Sequence, residues 1–194
     1  PGLDGTVMSL RNELYFLYAG YGNFPDYGSA IYIAQMVNPW TLTGEHHLLT
    51  APTLPWEKQG GMAINEGPVT LHRNGRIFLV YSASTTWSED YALGMLTMNE
   101  DADPLDPSSW QKSMQPVFRK SVENGVYATG HNSFTKSPDD QEDWIVYHAL
   151  PSPGSDTSLR STRIQKFGWN PDGTPDFGVP WSDAHYLPVP SGEE

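Results

Sequence analysis

The sequence predicts an all-β protein assembled from blades of a β-propeller, and three observations carry that prediction. Glycine occurs 18 times and proline 17 times among 194 residues, which favours many turns and short strands over long helices. A pattern of about sixty residues occurs three times along the chain. Each copy contains a short apolar run without the alternation of a half-buried strand. Short antiparallel strands grouped in repeats are typical of propeller blades.

Each copy begins with an ionisable residue, followed by a short strand, a polar turn and a dense apolar strand that ends in tyrosine. The copies start at Asp4 (DGTVMSLRNELYFLYAG), Glu66 (EGPVTLHRNGRIFLVYSAS) and His131 (HNSFTKSPDDQEDWIVYHAL). The closing tyrosines are Tyr18, Tyr81 and Tyr147. The dense second strand is predicted to be buried on both faces, between neighbouring blades.

A third strand and a more polar fourth segment complete the predicted blade. The third strands are SAIYIAQM (29–36), YALGMLTM (91–98) and STRIQKF (161–167). The fourth segment is marked by NPWTLTG in the first copy and DPSSWQKSMQPVF in the second. We therefore place the blades at about residues 1–60, 61–125 and 126–188, with a polar tail at 189–194.

Three blades do not close a propeller, which needs roughly four to eight. An open arc would leave two blade faces bare and expose more apolar surface than soluble proteins usually do. We therefore expect about two further blades, either cut from this chain or carried by a separate polypeptide.

Charge and composition exclude several classes of function. The formal net charge is −12 with only 11 Lys and Arg, which argues against nucleic-acid binding. No apolar run is long enough for a membrane span, and the absence of cysteine excludes disulfides, thiolate zinc sites and cysteine nucleophiles. The first residues, PGLDGTVMSL, lack the features of a signal peptide. We expect a chain that starts after processing or belongs to something longer.

The start of each innermost strand of a propeller reaches the mouth of its central channel, so Asp4, Glu66 and His131 are predicted to converge there. Two carboxylates and an imidazole suit general acid and base chemistry. Repulsion and burial can raise the pKa of one carboxyl toward neutrality. Glycoside hydrolysis uses such carboxyl pairs. A non-catalytic carbohydrate-binding or interaction propeller is the alternative, although it has no need of a proton donor.

The ordered motifs LDGTV, NEGP, YSAS, YALGMLT, GHNSF and RSTRIQKFGWNPDGTP run nearly end to end along the chain. Together they resemble the C-terminal part of glycoside hydrolase family 43. That resemblance implies a five-bladed β-propeller, of which this chain supplies about three blades. The family includes α-L-arabinofuranosidases, arabinanases and β-xylosidases.

The resemblance also implies roles for individual residues. Glu66 matches the general acid, and Asp4 matches the aspartate that orients the acid and modulates its pKa. His131 matches an axial histidine that binds substrate and in many members contacts an ion, often calcium, directly or through water. Arg160 and Asn65 match substrate-binding positions. Arg163 lies close to Arg160 in the sequence, and the local motif does not decide which of the two arginines is the substrate-binding one.

The family's general base is an aspartate in a blade that precedes the DGT motif, and no such blade is present here. Asp26, Asp90 and Asp156 lie in polar loops and are interpreted as surface residues. This chain alone is therefore expected to be an incomplete enzyme that needs a companion N-terminal polypeptide.

The function predicted from the resemblance is hydrolysis, with inversion, of terminal α-L-arabinofuranosyl linkages in arabinan or arabinoxylan. A β-xylosidase or an endo-arabinanase is the alternative within the family. The resemblance further implies secretion. We expect no organic cofactor and no nucleic-acid or membrane partner.

Overall fold

The computed structural model describes residues 2–21 and 27–193 of the chain, and in these ranges it forms three antiparallel sheets, each built from strands that follow one another in the sequence. The first sheet contains β1 (Gly2–Leu10), β2 (Glu13–Gly20), β3 (Ala30–Asn38), β4 (Thr41–Leu42) and β5 (His47–Thr50), the last two both paired with β3. The second contains β6 (Asn65–Arg73), β7 (Arg76–Ala83), β8 (Ala92–Asn99) and β9 (Gln111–Lys112). The third contains β10 (Tyr127–Lys136), β11 (Asp143–Leu150), β12 (Ser161–Trp169) and β13 (Pro175–Asp176). The predicted all-β fold with three propeller blades is confirmed.

Short 3₁₀ segments connect some of these strands, at Pro55–Gly61, Pro107–Ser109 and Thr157–Leu159. The predicted blade boundaries near residues 60 and 125 fall in connections between sheets. No helix in the described part of the chain is both long and apolar enough to cross a membrane.

Two of the inner hairpins turn through residue pairs that both have positive φ. Arg11 and Asn12 join β1 to β2, with φ of 51° and 65°, and Asn74 and Gly75 join β6 to β7, with φ of 52° and 72°. Two-residue turns in which both residues have positive φ match the twist of the strands that they connect. They fix the register of each inner hairpin, and with it the position of the strand starts at the channel.

The hydrophobic core lies between blades. Leu17 and Ile31 of the first blade pack with Leu79 of β7, while Phe78 on the other face of β7 packs with Ile145 of the third blade. Nearly every residue of β7 is buried, as predicted for a strand between two blades. In β2 and β11 burial alternates instead, because within the described residues no blade covers their second face. The prediction of burial on both faces is wrong for these two strands.

The uncovered face of the first blade is aromatic. Phe16, Tyr18 and Tyr32 stack in series, with ring centroids 5.7 and 5.6 Å apart. Around them lies a groove of about 660 Å³, and Trp40 nearby is 83% exposed. An aromatic surface of this kind marks an interaction site, so this face is suited to receiving a further blade.

The segment predicted as a polar tail packs against the third blade. Ser191 Oγ donates to Asp139 Oδ1 at 2.7 Å, and Ser191 N donates to Glu142 Oε2 at 3.2 Å. Both acceptors belong to the hairpin between β10 and β11, so the last described residues are held there.

Candidate active site

All three innermost strands carry a β-bulge near their start, and the site is built on these bulges. The register shifts lie between Leu3 and Thr6, between Glu66 and Val69, and between Gly130 and Ser133. The residues with positive φ there are Asp4 (55°), Gly67 (58°) and His131 (52°). A bulge adds one residue to a strand and re-aims a side chain, often beside an active site.

The bulges correct the predicted equivalence of the three leading residues. Asp4 and His131 occupy the positive-φ position that Gly67 holds in the second blade, whereas Glu66 stands one residue earlier. Alignment by the ionisable residue alone cannot detect this offset, because the backbone conformation sets the register. The three side chains nevertheless meet at one mouth.

Asp4 lies on β1 and contacts the innermost strands of the other two blades, β6 and β10. Its Oδ2 accepts a hydrogen bond from Gly67 N at 3.0 Å, and its Oδ1 lies 3.7 Å from His131 Nε2. The Asp4 side chain is only 16% exposed, whereas that of His131 is 47% exposed. The carboxylate of Asp4 is therefore turned toward protein groups, while the imidazole faces the mouth.

Glu66 is partly buried, and its carboxyl group accepts a hydrogen bond from one side chain. The hydroxyl of Tyr91 donates to Glu66 Oε1 at 2.7 Å. Burial raises the pKa of Glu66, and the negative charge of Asp4 raises it further, while Tyr91, His131 and Arg160 act in the opposite direction. A carboxyl group whose pKa is raised by burial keeps its proton at higher pH, as a general acid requires.

The ring of His148 packs against the ring of Tyr91. The two rings are parallel within 2°, with centroids 5.5 Å apart, and the His131 ring also stacks with His148, with centroids 6.3 Å apart. Burial, together with the nearby Arg160 and His131 side chains, lowers the pKa of His148 to about 4. His148 is therefore neutral near pH 7 and acts as a packing surface.

Asn65 does not reach the mouth, which corrects its predicted contact with substrate. Its side chain is fully buried and donates to Glu57 Oε1 at 3.0 Å. Glu57 is also fully buried, and it accepts from Tyr81 at 2.9 Å and from Lys112 at 2.8 Å. Asn65 thus anchors the strand that carries Glu66, from behind the site.

Arg160 lies at the mouth and Arg163 does not. Arg160 is exposed, donates to Thr86 Oγ1 at 2.6 Å, and is close enough to act on the charge of Glu66. The Arg163 side chain is only 9% exposed and pairs with Asp183 at 2.5 Å. Of the two arginines that the sequence left open, Arg160 is the one placed to meet a ligand.

The polar-loop aspartates have other partners. Asp90 pairs with Lys120 at 2.8 Å, and Asp156 accepts from Ser158 N at 2.8 Å. Asp26 lies outside the described residues. Within the described part of the chain, Asp4 is the carboxylate whose charge acts on Glu66.

Residues 1–175 match the sequence profile of glycosyl hydrolases family 43. The chain belongs to this family. Among curated family relatives, it is 42% identical to the extracellular exo-α-(1→5)-L-arabinofuranosidase of Streptomyces avermitilis, over 94% of this chain and 38% of that protein. It is 44% identical to α-L-arabinofuranosidase 43 of Humicola insolens, over 94% of this chain and 39% of that protein.

A solved structure agrees with these relatives. The α-L-arabinofuranosidase of Lactobacillus brevis superposes with a TM-score of 0.90 at 44% identity, covering 96% of this chain and 58% of that one. The chain therefore spans less than two fifths of the length of the curated relatives named above, and somewhat over half of the solved chain.

The calcium ion implied for family 43 is not accommodated by the described side chains alone. Calcium takes six to eight oxygen ligands, whereas His131 offers a nitrogen and Asp4 Oδ2 already accepts from Gly67 N. No group of three or more His, Asp or Glu side chains is placed to hold a metal ion in residues 2–21 and 27–193.

Sequence reasoning missed Tyr91 and Glu57 as parts of the site. The YALGMLT motif places Tyr91 at the start of a predicted strand, and the signal for its role is that this end of the strand faces the mouth. Glu57 had no sequence signal, because its importance comes from complete burial.

Proposed function

We propose that this chain forms three blades of a family 43 glycoside hydrolase that releases terminal α-L-arabinofuranosyl residues from arabinan or arabinoxylan, with inversion. The observation that carries the proposal is Glu66. It is a carboxyl group with a raised pKa, set at the channel mouth beside Asp4, His131 and Arg160. A non-catalytic binding module would not require this arrangement.

In the proposed reaction Glu66, in its protonated form, gives its proton to the glycosidic oxygen. The bond between the anomeric carbon and that oxygen breaks, and its electron pair stays on the departing oxygen. Water attacks the anomeric carbon from the opposite face and loses its proton to a general base. Asp4 is poorly suited to attack the sugar, because its Oδ2 is engaged by Gly67 N. This supports inversion over a covalent intermediate.

The general base and the remaining blades are proposed to lie in a companion N-terminal polypeptide, or in the same protein outside this sequence. The coverage of relatives supports this, as does the uncovered aromatic face of the first blade. Secretion is also proposed, because the Streptomyces avermitilis relative is named as an extracellular enzyme.

The activities for which the relatives are named support an arabinofuranoside over a xyloside as substrate. The named relatives above 40% identity are arabinofuranosidases. A solved β-1,4-xylosidase from Bacillus halodurans is only 16% identical, a level that supports the fold alone. Arg160 and His131 are proposed to bind the sugar in the cleaved subsite.

Glu66→Gln tests the acid, in protein that contains the remaining blades. For substrates with a poor leaving group, whose departure needs a proton, we expect kcat/KM to fall by at least about a hundredfold. For an aryl arabinofuranoside with a strongly acidic phenol, which leaves without a proton, the loss should be much smaller. Steady-state kinetics on both substrates measures this difference.

Glu100→Gln is the matched control, because Glu100 follows β8 at its far end and pairs with His72. It should leave both rates unchanged. Nearly full activity of Glu66→Gln on the poor leaving group would refute the acid assignment. The anomer formed first, observed by proton NMR, tests inversion separately.

A further inference from the structure

Burial and stacking of the Tyr91 ring place its hydroxyl beside the proposed acid. Its ring is fully buried, it stacks on His148 with planes 2° apart, and its oxygen lies 2.7 Å from Glu66 Oε1. Tyr91 directly precedes β8, so the backbone of that strand also fixes the position of the Tyr91 Cα atom. The hydroxyl therefore stays in one place relative to Glu66.

The third blade makes room for this ring by carrying a glycine. A Cβ at Gly130 would lie 2.2 Å from Tyr91 Cε1 and 2.5 Å from Cδ1, far closer than atoms can approach. Gly130 does not have positive φ, so its backbone conformation does not require glycine. Space for the Tyr91 ring is what requires it.

The hydroxyl has one hydrogen to donate, and the distances decide which acceptor receives it. Glu66 Oε1 is at 2.7 Å, whereas His131 Nδ1 is at 3.5 Å. Burial and the charge of Glu66 hold the pKa of Tyr91 well above its usual value, so the hydroxyl keeps its hydrogen at any working pH. Within the described residues, Glu66 Oε2 accepts no hydrogen bond from another side chain.

We propose that Tyr91 is a positioning residue for Glu66: its hydroxyl occupies Oε1, so that the proton transferred to the substrate is carried by Oε2. This inference rests on the proposed role of Glu66 as the acid. Tyr91 touches neither the sugar nor the reacting atoms. It determines which oxygen of the acid carries the proton and opposes part of the effect of burial on Glu66.

The charged and titratable groups around Glu66 come from all three blades. Asp4 approaches from β1, Tyr91 from the residue before β8, His131 from β10, and Arg160 from the residue before β12. Of these, Tyr91 is the uncharged donor in direct hydrogen-bond contact. Its removal therefore changes the Glu66 carboxyl without removing a charge.

Tyr91→Phe tests the inference, in protein that contains the remaining blades. Without the hydroxyl the ionised form of Glu66 loses a hydrogen bond, so the alkaline limb of kcat/KM should move to higher pH. On a poor leaving group kcat should fall roughly tenfold, as expected for one hydrogen bond to a charged group, with KM nearly unchanged. Substrates that need no proton should show little loss.

A second variant protects the test against a folding defect. Replacing Tyr91 by 3-fluorotyrosine keeps ring and hydroxyl but makes the hydroxyl a stronger donor, so the alkaline limb should move to lower pH. Tyr147→Phe is the control, since Tyr147 is also a buried tyrosine and donates to Gln165, away from the mouth. It should leave the pH profile unchanged.

Opposite shifts for the phenylalanine and fluorotyrosine variants would support the inference, and an unchanged alkaline limb in both would overturn it. If Glu66→Gln abolishes activity on poor leaving groups while the Tyr91 variants have a normal pH profile, only the role of Tyr91 fails. If Glu66→Gln is itself active, the proposed function fails.

Discussion

Asp4 and Tyr91 both act on Glu66, and they act with opposite sign. The negative charge of Asp4 raises the pKa of Glu66, whereas the hydrogen bond from Tyr91 lowers it. Asp4→Asn removes the charge, while asparagine keeps an oxygen for Gly67 N and tolerates positive φ as aspartate does. We expect the alkaline limb of kcat/KM to move to lower pH. Activity at pH 8 should fall on the order of tenfold.

The control for this prediction is Asp156→Asn, because Asp156 is an exposed aspartate that caps Ser158 N. It should leave the pH profile in place. An alkaline limb that stays put in Asp4→Asn, or moves upward, would show that Asp4 does not set the acidity of Glu66.

The residues of the site differ in how far sequence could reveal them. Asp4, Glu66 and His131 could be predicted to meet, because each leads a repeat whose strand starts at the channel. Tyr91 could not be ranked above other aromatic residues, since only its 2.7 Å contact and the space left by Gly130 distinguish it. Asn65 was misplaced for a related reason, as its motif neighbours the acid but its side chain turns inward.

At the scale of an element, the 3₁₀ segment Pro55–Gly61 makes one buried ion pair with the second blade. Glu57 is fully buried and lies 2.7 Å from Lys112 Nζ. Lys112→Met would leave that carboxylate without its cation, so we expect a loss of about 3 kcal/mol in the free energy of unfolding. Urea unfolding followed by tryptophan fluorescence measures it.

Lys166→Met provides the comparison, because Lys166 pairs with Glu142 at the same 2.7 Å but is 47% exposed. Exposed pairs contribute at most about 1 kcal/mol. Equal losses for the two variants would contradict the claim that burial makes the Glu57 pair important.

The strands could be predicted from the sequence and the bulges could not. Apolar runs, the turn pairs and the repeat indicate which segments are strands and how they are connected. The extra residue at Asp4, Gly67 or His131 follows from positive φ at a single position, which leaves almost no trace in composition. The predicted equivalence of the leading residues was off by one for that reason.

At the scale of the whole molecule, the missing partner surface explains the burial pattern of the second strands. β7 is buried on both sides because it has a blade on each side, whereas β2 shows half-buried aromatic rings on its outer face. The sequence of β2, ELYFLYAG, is as apolar as that of a central strand. Its exposure here is therefore the mark of an interface that another blade would cover.

Phe16→Asp tests that interface. The substitution places a carboxylate in the aromatic stack, where a docking blade would have to bury it unpaired, at a cost of several kcal/mol. We expect the affinity of this chain for a polypeptide carrying the remaining blades to fall at least about a hundredfold, as measured by analytical ultracentrifugation. Val122→Asp is the control, because Val122 is 68% exposed and lies in a turn away from this face. Assembly of the Phe16→Asp chain with unchanged affinity would mean that the remaining blades do not dock on the first blade.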